Sequence, residues 1–339
     1  MSRTGAQTFV YDNPVAIASH ISVVGPMEGK GPLAEWFDVI LEDDLLGQKS
    51  WELAESEMVR RAAEQAIAAA GLTSDGVQAM LSGDLNNQII ASSFAARALG
   101  IPFLGLYGAC STFVQASLLA SALISGGYLS NALCAASSHF CTAERQFRFP
   151  VELGNQRPPQ ASWTTTACGC CLLRPAAPKD ALRITSGTIG RVIDLQIKDA
   201  NHMGAAMAPA VCSTIEAHFS DLGRTAADYD LIATGDLGWI GKNILMELLH
   251  RDRVTIPDEK LIDCGASMFY QEQDTHAGGS GCGCVASVSC GWLMKRIERG
   301  ELRRVLIAGS GAMLSPTSCQ QGQTIPGISY AICIEGGVK

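Results

Sequence analysis

The chain alternates between short apolar runs and longer segments in which apolar residues recur at helical spacing. Residues 14–24 form an apolar run that predicts a strand, because Gly25 and Pro26 follow it directly. Residues 50–70 predict a helix, because apolar side chains recur at helical spacing after a serine that can cap the first turn. Further strands are predicted at residues 79–82, 102–107 and 132–136, and further helices at residues 88–99 and 113–124. This alternation predicts an α/β protein whose parallel or mixed sheet is covered on both faces.

The second half of the chain repeats the pattern of the first. Residues 71–85 align without gaps on residues 223–237, with Gly, Thr, Gly, Asp and Leu coinciding at an offset of 152. Residues 127–137 match residues 300–310 at Gly, Leu, Leu, Ala and Ser. Two matches in the same order indicate a duplication. We therefore expect two related halves, residues 1–178 and 179–339, joined near the proline-containing link at residues 174–183.

The composition fits a large buried core. Of 339 residues, 47% are hydrophobic and 17% are charged. The formal net charge of −8 argues against a nucleic-acid partner, because phosphate binding requires a basic face. Among the longest apolar stretches, residues 116–128 fall short of the ~18–20 residues that a membrane-spanning helix needs. We therefore expect no membrane span in the chain.

The 13 cysteines predict reduced thiols rather than disulfides. Their number is odd, and the polar residues 1–9 do not resemble a secretion signal, so we expect a cytoplasmic protein. Cys168 and Cys171 form a lone CxxC pair, which supplies at most half of a tetrahedral zinc site. Neither a metal nor a cofactor is therefore expected.

The most informative stretch is residues 105–112, Gly-Leu-Tyr-Gly-Ala-Cys-Ser-Thr. It follows a predicted strand and precedes a predicted helix, so Cys110 falls at a helix N-terminus. Unpaired backbone N–H groups and the helix dipole favour anions there and are expected to lower the pKa of the thiol. The alternative is a small buried cysteine that packs under the helix.

These features together resemble the thiolase and β-ketoacyl synthase superfamily, with the greatest similarity to the type III synthases that use acyl-CoA. The resemblance rests on the duplicated α/β half, the Gly-Ala-Cys-Ser turn and the Ala-Cys-Gly-Cys-Cys string at residues 167–171. It implies a duplicated thiolase-like fold with five layers, αβαβα, and two halves related by a pseudo-two-fold axis. Within the superfamily, further strings resemble the stage V sporulation protein AD family; they lie at residues 83–88, 137–139, 144–148, 201–209 and 276–283.

The chain departs from the superfamily pattern at two positions that catalysis requires. The superfamily histidine opens a His-Gln-Ala-Asn string, and Asp236 stands at that place here. The superfamily asparagine should lie in the small-residue loop at residues 278–284, which contains no Asn. Removing one oxyanion-stabilising donor costs about 10²–10³ in rate, so the loss of both predicts a nearly silent condensing site.

The resemblance to the sporulation family implies a binding function in place of catalysis. It implies that the protein binds dipicolinic acid (pyridine-2,6-dicarboxylate), free or as its calcium chelate, during uptake into the spore and release in germination. Other transport subunits would hold the protein at the spore inner membrane, and superfamily members pair as homodimers. One alternative is an acyl-CoA-dependent synthase that uses Cys110 as nucleophile. Another is a structural partner whose pocket is a relic.

The candidate binding residues are those that suit a flat dianion or lie in the quoted strings. Arg145 and Arg148 are the expected counter-ions, because residues three apart share a helix face and arginine forks onto carboxylates. Arg157 is a weaker candidate. The remaining candidates are Cys110, Asp84, Asn87, Gln88, His139, His202, Asp236, His276 and Ser280.

Several candidates have a structural interpretation as well. A lone histidine such as His139 is more often a core residue with satisfied ring nitrogens. Arg145 and Arg148 also fit a solvated surface. Aspartates after glycine cap turns, and Asn or Gln before a helix caps it, which applies to Asp84, Asp236, Asn87 and Gln88.

Overall fold

The computed structural model describes residues 2–147 and 156–337. The strands in these ranges are β1 (Ser2–Thr4), β2 (Thr8–Val24), β3 (Val39–Ile40), β4 (Ala79–Gly83), β5 (Phe103–Gly105), β6 (Ala132–Ser138), β7 (Trp163–Thr164), β8 (Ala167–Pro175), β9 (Leu182–Ile189), β10 (Leu231–Thr234), β11 (Leu261–Asp263), β12 (Gly279–Ser280), β13 (Arg304–Ala312) and β14 (Gly327–Gly336). The helices are α1 (Trp51–Ala69), α2 (Ile90–Leu99), α3 (Thr112–Ser125), α4 (Phe140–Phe147), α5 (Met203–Leu222), α6 (Gly238–Arg251), α7 (Cys264–Met268), α8 (Cys282–Val288), α9 (Met294–Glu298) and α10 (Pro316–Gln320).

The strands of the two halves follow the same order in space. The large sheet runs β11-β10-β13-β14-β9-β2-β8-β6-β4-β5, so β2 and β9 meet in its middle as an antiparallel pair. In each half, two parallel pairs form the outer end and antiparallel strands lie toward the middle. The predicted division at 178/179 falls in the turn between β8 and β9 and stays a prediction.

Helices cover both faces of the sheet, including a face that its two halves share. Helix α3 contacts strands of both halves, and α8 packs beside it on the first half. Helix α1 packs on β2, β6 and β8, while α5 packs on β13 and β14. Three apolar clusters fill the spaces between these layers. The layers correspond to the αβαβα thiolase-like fold that the resemblance implied.

Among the predicted boundaries that differ from the structure, those of β2 and α2 have a clear physical reason. Strand β2 begins at Thr8 rather than at residue 14, because its first residues pair with β1 and β9. Helix α2 begins at Ile90, because Gln88 and Ile89 take left-handed φ values of 56° and 49°. The cap of α1 is as expected: the Ser50 Oγ accepts a hydrogen bond from the Leu53 N–H at 3.4 Å. Among the described residues, no helix combines the length and the apolar character needed to cross a bilayer.

Candidate functional site

A tight turn presents Cys110 at the start of α3. Ala109 has a left-handed φ of 48°, which is uncommon for a residue with a side chain. The Thr112 hydroxyl donates to the Ala109 carbonyl at 2.7 Å and accepts from the Gly108 N–H at 3.1 Å. Cys282 lies at the start of α8, and its thiol donates a hydrogen bond to the same Ala109 carbonyl at 3.0 Å. These bonds hold the turn in a strained shape that supports a site.

Asp236 lies against Cys110, although 126 positions separate them in the chain. Its carboxylate accepts hydrogen bonds from the Ser310 and Ser280 hydroxyls, each at 2.7 Å, and from the Gly281 N–H at 2.8 Å. The Cys110 thiol is a further hydrogen-bond partner. Burial raises the pKa of Asp236, while these donors oppose the rise. Asp236 is thus a fully hydrogen-bonded part of the site floor.

The thiol of Cys110 does not have the lowered pKa that its helix position predicted. Burial raises the pKa of Cys110 well above its usual value, and the nearby Asp236 carboxylate adds to the rise. The prediction of a lowered pKa is wrong, because desolvation and a neighbouring negative charge outweigh the helix N-terminus. Cys110 is therefore a neutral thiol near pH 7.

A cavity of about 490 Å³ opens above this floor. Of the predicted residues, Cys110, Ser280 and the weaker candidate Arg157 line it. Its walls come from both halves of the chain; they are Leu85, Tyr107, Ala143, Glu144, Phe147, Gln156, Arg157, Pro158, Thr164, Ala200, Asn201, Met203, Ala312 and Leu314. Arg157 and Glu144 are the two charged residues among these. The volume is ordinary for a small-molecule site.

Arg157 is held in the cavity wall by aromatic stacking. Its guanidinium carbon lies 4.1 Å from the centre of the Trp163 ring. Trp163 in turn stacks on Phe140, with ring centres 3.9 Å apart and an angle of 11° between the rings. The stack fixes the plane of the guanidinium, which favours forked recognition of a carboxylate. Arg157, named as the weaker candidate, is the described arginine that lines the cavity.

Of the two arginines expected as counter-ions, Arg145 does not line the cavity. Arg145 forms an ion pair with Glu52, and its guanidinium lies 5.6 Å from the centre of the Trp51 ring. Half of its side chain is exposed, so its surroundings are those of a surface residue. Arg148 lies outside the described residues.

The three candidate histidines lie in different surroundings. His139 is buried, with Nε2 2.7 Å from the Asp44 carbonyl and Nδ1 accepting from the Cys141 N–H at 3.2 Å. Burial lowers the pKa of His139, so its ring is neutral and structural. His202 precedes α5 between two cavity residues, without lining the cavity itself. His276 lines a separate cleft of about 510 Å³.

The segment after β4 has a mainly structural role. The two carboxylate oxygens of Asp84 accept from the Asn86 and Ser92 N–H groups at 2.9 and 2.8 Å, which caps the turn and the start of α2. Asn87 and Gln88 line a second cavity of about 460 Å³. Leu85, Tyr107 and Leu314 line both cavities, so the second one adjoins the first.

The described cysteines do not assemble a tetrahedral metal centre around the CxxC pair. Cys168 and Cys171 are three positions apart on β8, so their side chains project to opposite faces and join different apolar clusters. One group that sequence analysis did not identify brings donor atoms of Cys212, Glu216 and Asp252 within 4.8 Å of one another. Arg251 forms an ion pair with Asp252 there, which neutralises part of that charge.

Solved structures place the fold in the thiolase-like class that contains condensing enzymes. OleA from Xanthomonas campestris matches with a TM-score of 0.62 and 14% identity, over 96% of this chain and 99% of that one. The 3-oxoacyl-[acyl-carrier-protein] synthase III from Aquifex aeolicus VF5 matches with a TM-score of 0.56 and 12% identity, over 95% and 99%. Identities this low establish the fold alone.

The particular family follows from the sequence comparison. The model of stage V sporulation protein AD (SpoVAD) matches residues 5–335. Stage V sporulation protein AD of Bacillus subtilis (strain 168) is 44% identical over 335 residues, which cover 99% of this chain and 98% of that protein. The chain therefore belongs to the stage V sporulation protein AD family. The family and the fold that the sequence motifs indicated are both confirmed.

Proposed function

We propose that the chain is a non-catalytic receptor for dipicolinic acid in the forming or germinating spore. The observation that carries the proposal is the cavity at Cys110, with Arg157 stacked in its wall. A flat aromatic ring with two carboxylates suits a cavity that combines an oriented guanidinium with apolar walls. We expect the second carboxylate to lie beside Cys110, where the helix dipole of α3 favours an anion.

The state of the thiol supports binding rather than acyl transfer. A thiolate is the nucleophile in cysteine catalysis, and burial together with Asp236 raises the pKa of Cys110 well above its usual value. Among the described residues, the hydrogen-bonding neighbours of the thiol are Asp236 and Ser280 rather than an imidazole. His139 and His276 are engaged or located elsewhere.

Calorimetric titration of the protein with dipicolinate, with and without calcium, tests the proposal. Saturable binding that Ala143→Trp abolishes is expected, because Ala143 lines the cavity and a large ring there fills it. The matched control is Ala122→Trp, which changes a residue of α3 that does not line the cavity. Binding that is absent, or equal in both variants, contradicts the proposal.

Incubation with acyl-CoA followed by mass spectrometry tests the alternative synthase function. The receptor proposal expects no mass increase on Cys110. A covalent acyl adduct that Cys110→Ser abolishes would instead establish the nucleophile.

Membrane association is proposed to occur through partner subunits at the spore inner membrane.

Pairing of two copies is proposed at β5, the last strand of the large sheet, where Leu104 is 44% exposed. Analytical ultracentrifugation of the wild-type protein and of Leu104→Asp distinguishes a dimer from a monomer. A wild-type monomer contradicts this pairing.

A further inference from the structure

A buried carboxyl group, Glu55 on α1, connects the segments that border the ligand cavity. Its Oε2 accepts hydrogen bonds from Asn86 Nδ2 at 2.8 Å and from Thr142 Oγ1 at 3.0 Å. Its Oε1 accepts from Ser137 Oγ at 2.9 Å. These partners belong to the turn after β4, to α4 and to the end of β6. Asn86 and Thr142 directly adjoin Leu85 and Ala143, which line the cavity.

The surroundings of Glu55 contain acids and thiols. Asp84 on the turn after β4 is the carboxyl group whose charge acts on Glu55, and Cys168 on β8 and Cys282 on α8 also face Glu55. The ring of His139, the residue directly before α4, turns away to the Asp44 carbonyl. Within the described part of the chain, no Lys or Arg forms an ion pair with Glu55 or Asp84. Two ionised carboxylates here would repel each other, and hydrogen bonds rather than a paired cation would have to offset the repulsion.

The hydrogen-bond network has an arrangement for each protonation state of Glu55. The Thr142 hydroxyl lies 3.0 Å from Glu55 Oε2 and 3.0 Å from the His139 carbonyl. When Glu55 is ionised, Thr142 donates to it. When Glu55 is neutral, its O–H donates to Thr142 Oγ1, and Thr142 donates to His139. With Glu55 neutral, the Glu55 carboxyl and the Thr142 hydroxyl therefore both keep hydrogen-bond partners.

Burial, with Asp84 as the next cause, raises the pKa of Glu55 from 4.5 to about 8. The folded protein consequently holds this proton more tightly than the unfolded chain between those two pH values. Folding stability therefore falls as pH rises from 4.5 to about 8.

We propose that Glu55 is a positioning residue that couples ligand binding to proton uptake. The neutral carboxyl keeps the turn after β4 and α4 packed around the cavity. Its ionisation beside Asp84 drives these segments apart and weakens binding. This inference rests on the proposed function, because it concerns the same cavity.

The experiment is dipicolinate titration between pH 7 and pH 9, where both ligand carboxyls stay ionised. If only the neutral form of Glu55 binds, the Kd rises about tenfold between these pH values for a pKa of about 8. Glu55→Gln, which mimics the neutral acid, is expected to bind tightly and to remove this dependence. The matched control is Glu28→Gln, since burial also raises the pKa of Glu28 to about 8. The Glu28 carboxylate accepts a hydrogen bond from the Thr166 N–H, and neither residue lines the cavity.

Ser137→Ala provides a second test that keeps the titrating group. Losing a donor to the ionised carboxylate shifts the midpoint of the binding curve to higher pH. The inference is overturned if wild-type binding is independent of pH, if Glu55→Gln keeps the wild-type dependence, or if Glu28→Gln removes it equally. If the wild-type protein fails to bind at pH 7, the receptor proposal fails, and this inference with it.

Discussion

Replacing Arg157 by Gln is expected to weaken dipicolinate binding while leaving the fold intact. Arg157 is the described arginine that lines the cavity, and its guanidinium lies 4.1 Å from the centre of the Trp163 ring. A hydrogen bond to a charged group contributes about 1.5–3 kcal/mol, so losing the guanidinium should cost about 2 kcal/mol. That cost corresponds to a roughly 30-fold increase in Kd.

The substitution should change folding stability much less than binding. A partly exposed cation–π contact contributes about 0.5–1 kcal/mol, which is a shift of a few degrees at most in Tm for a chain of this size. Arg157→Lys keeps the charge but loses the planar fork, so its affinity should lie between those of the wild type and Arg157→Gln.

The assay is isothermal titration calorimetry, with differential scanning calorimetry of the same samples. Arg145→Gln is the matched control, because it removes an arginine from the ion pair with Glu52 outside the cavity. The reasoning is refuted if Arg157→Gln binds as tightly as wild type. It is also refuted if Arg145→Gln weakens binding to the same extent.

Three further predictions follow from the site and the core. Cys110 should react slowly with iodoacetamide at pH 8, and Asp236→Asn should speed the reaction, since it removes a charge that raises the pKa of the thiol. Peptide mapping by mass spectrometry measures both rates. An unchanged rate in Asp236→Asn argues against this cause. Glu28→Gln should raise the Tm at pH 9 but not at pH 4, because burial raises the pKa of Glu28 from 4.5 to about 8. The stability that the neutral form of Glu28 contributes is lost as pH rises through that range. Equal shifts of the Tm at both pH values contradict the raised pKa of Glu28. Gly169→Ala should cost about 1–3 kcal/mol in chemical denaturation, because a Cβ there would lie 2.2 Å from the Ala286 backbone, and a neutral effect would show that α8 shifts freely.

Local sequence determined much of the architecture of this protein. The spacing of apolar residues specified α1, and Ser50 caps it as its side chain and position indicated. The repeated Gly-Asp-Leu after corresponding strands marked the duplication that the sheet order reflects. The position of Cys110 between a strand and a helix was equally readable, because turn and helix signals depend on neighbouring residues.

The chemistry of the site was decided by tertiary structure. Helical spacing placed Arg145 among plausible ligand contacts, but its partner on α1, Glu52, holds it at the surface, and the loop arginine Arg157 enters the cavity instead. Nothing in the local sequence distinguishes Glu55 from the other acids of α1, yet packing buries it beneath the turn after β4. Burial and long-range charge set the pKa of a group, and both depend on which distant segments fold against it. The sequence therefore determined the type and order of the main elements, whereas only tertiary packing decided which side chains share the cavity and in which protonation state.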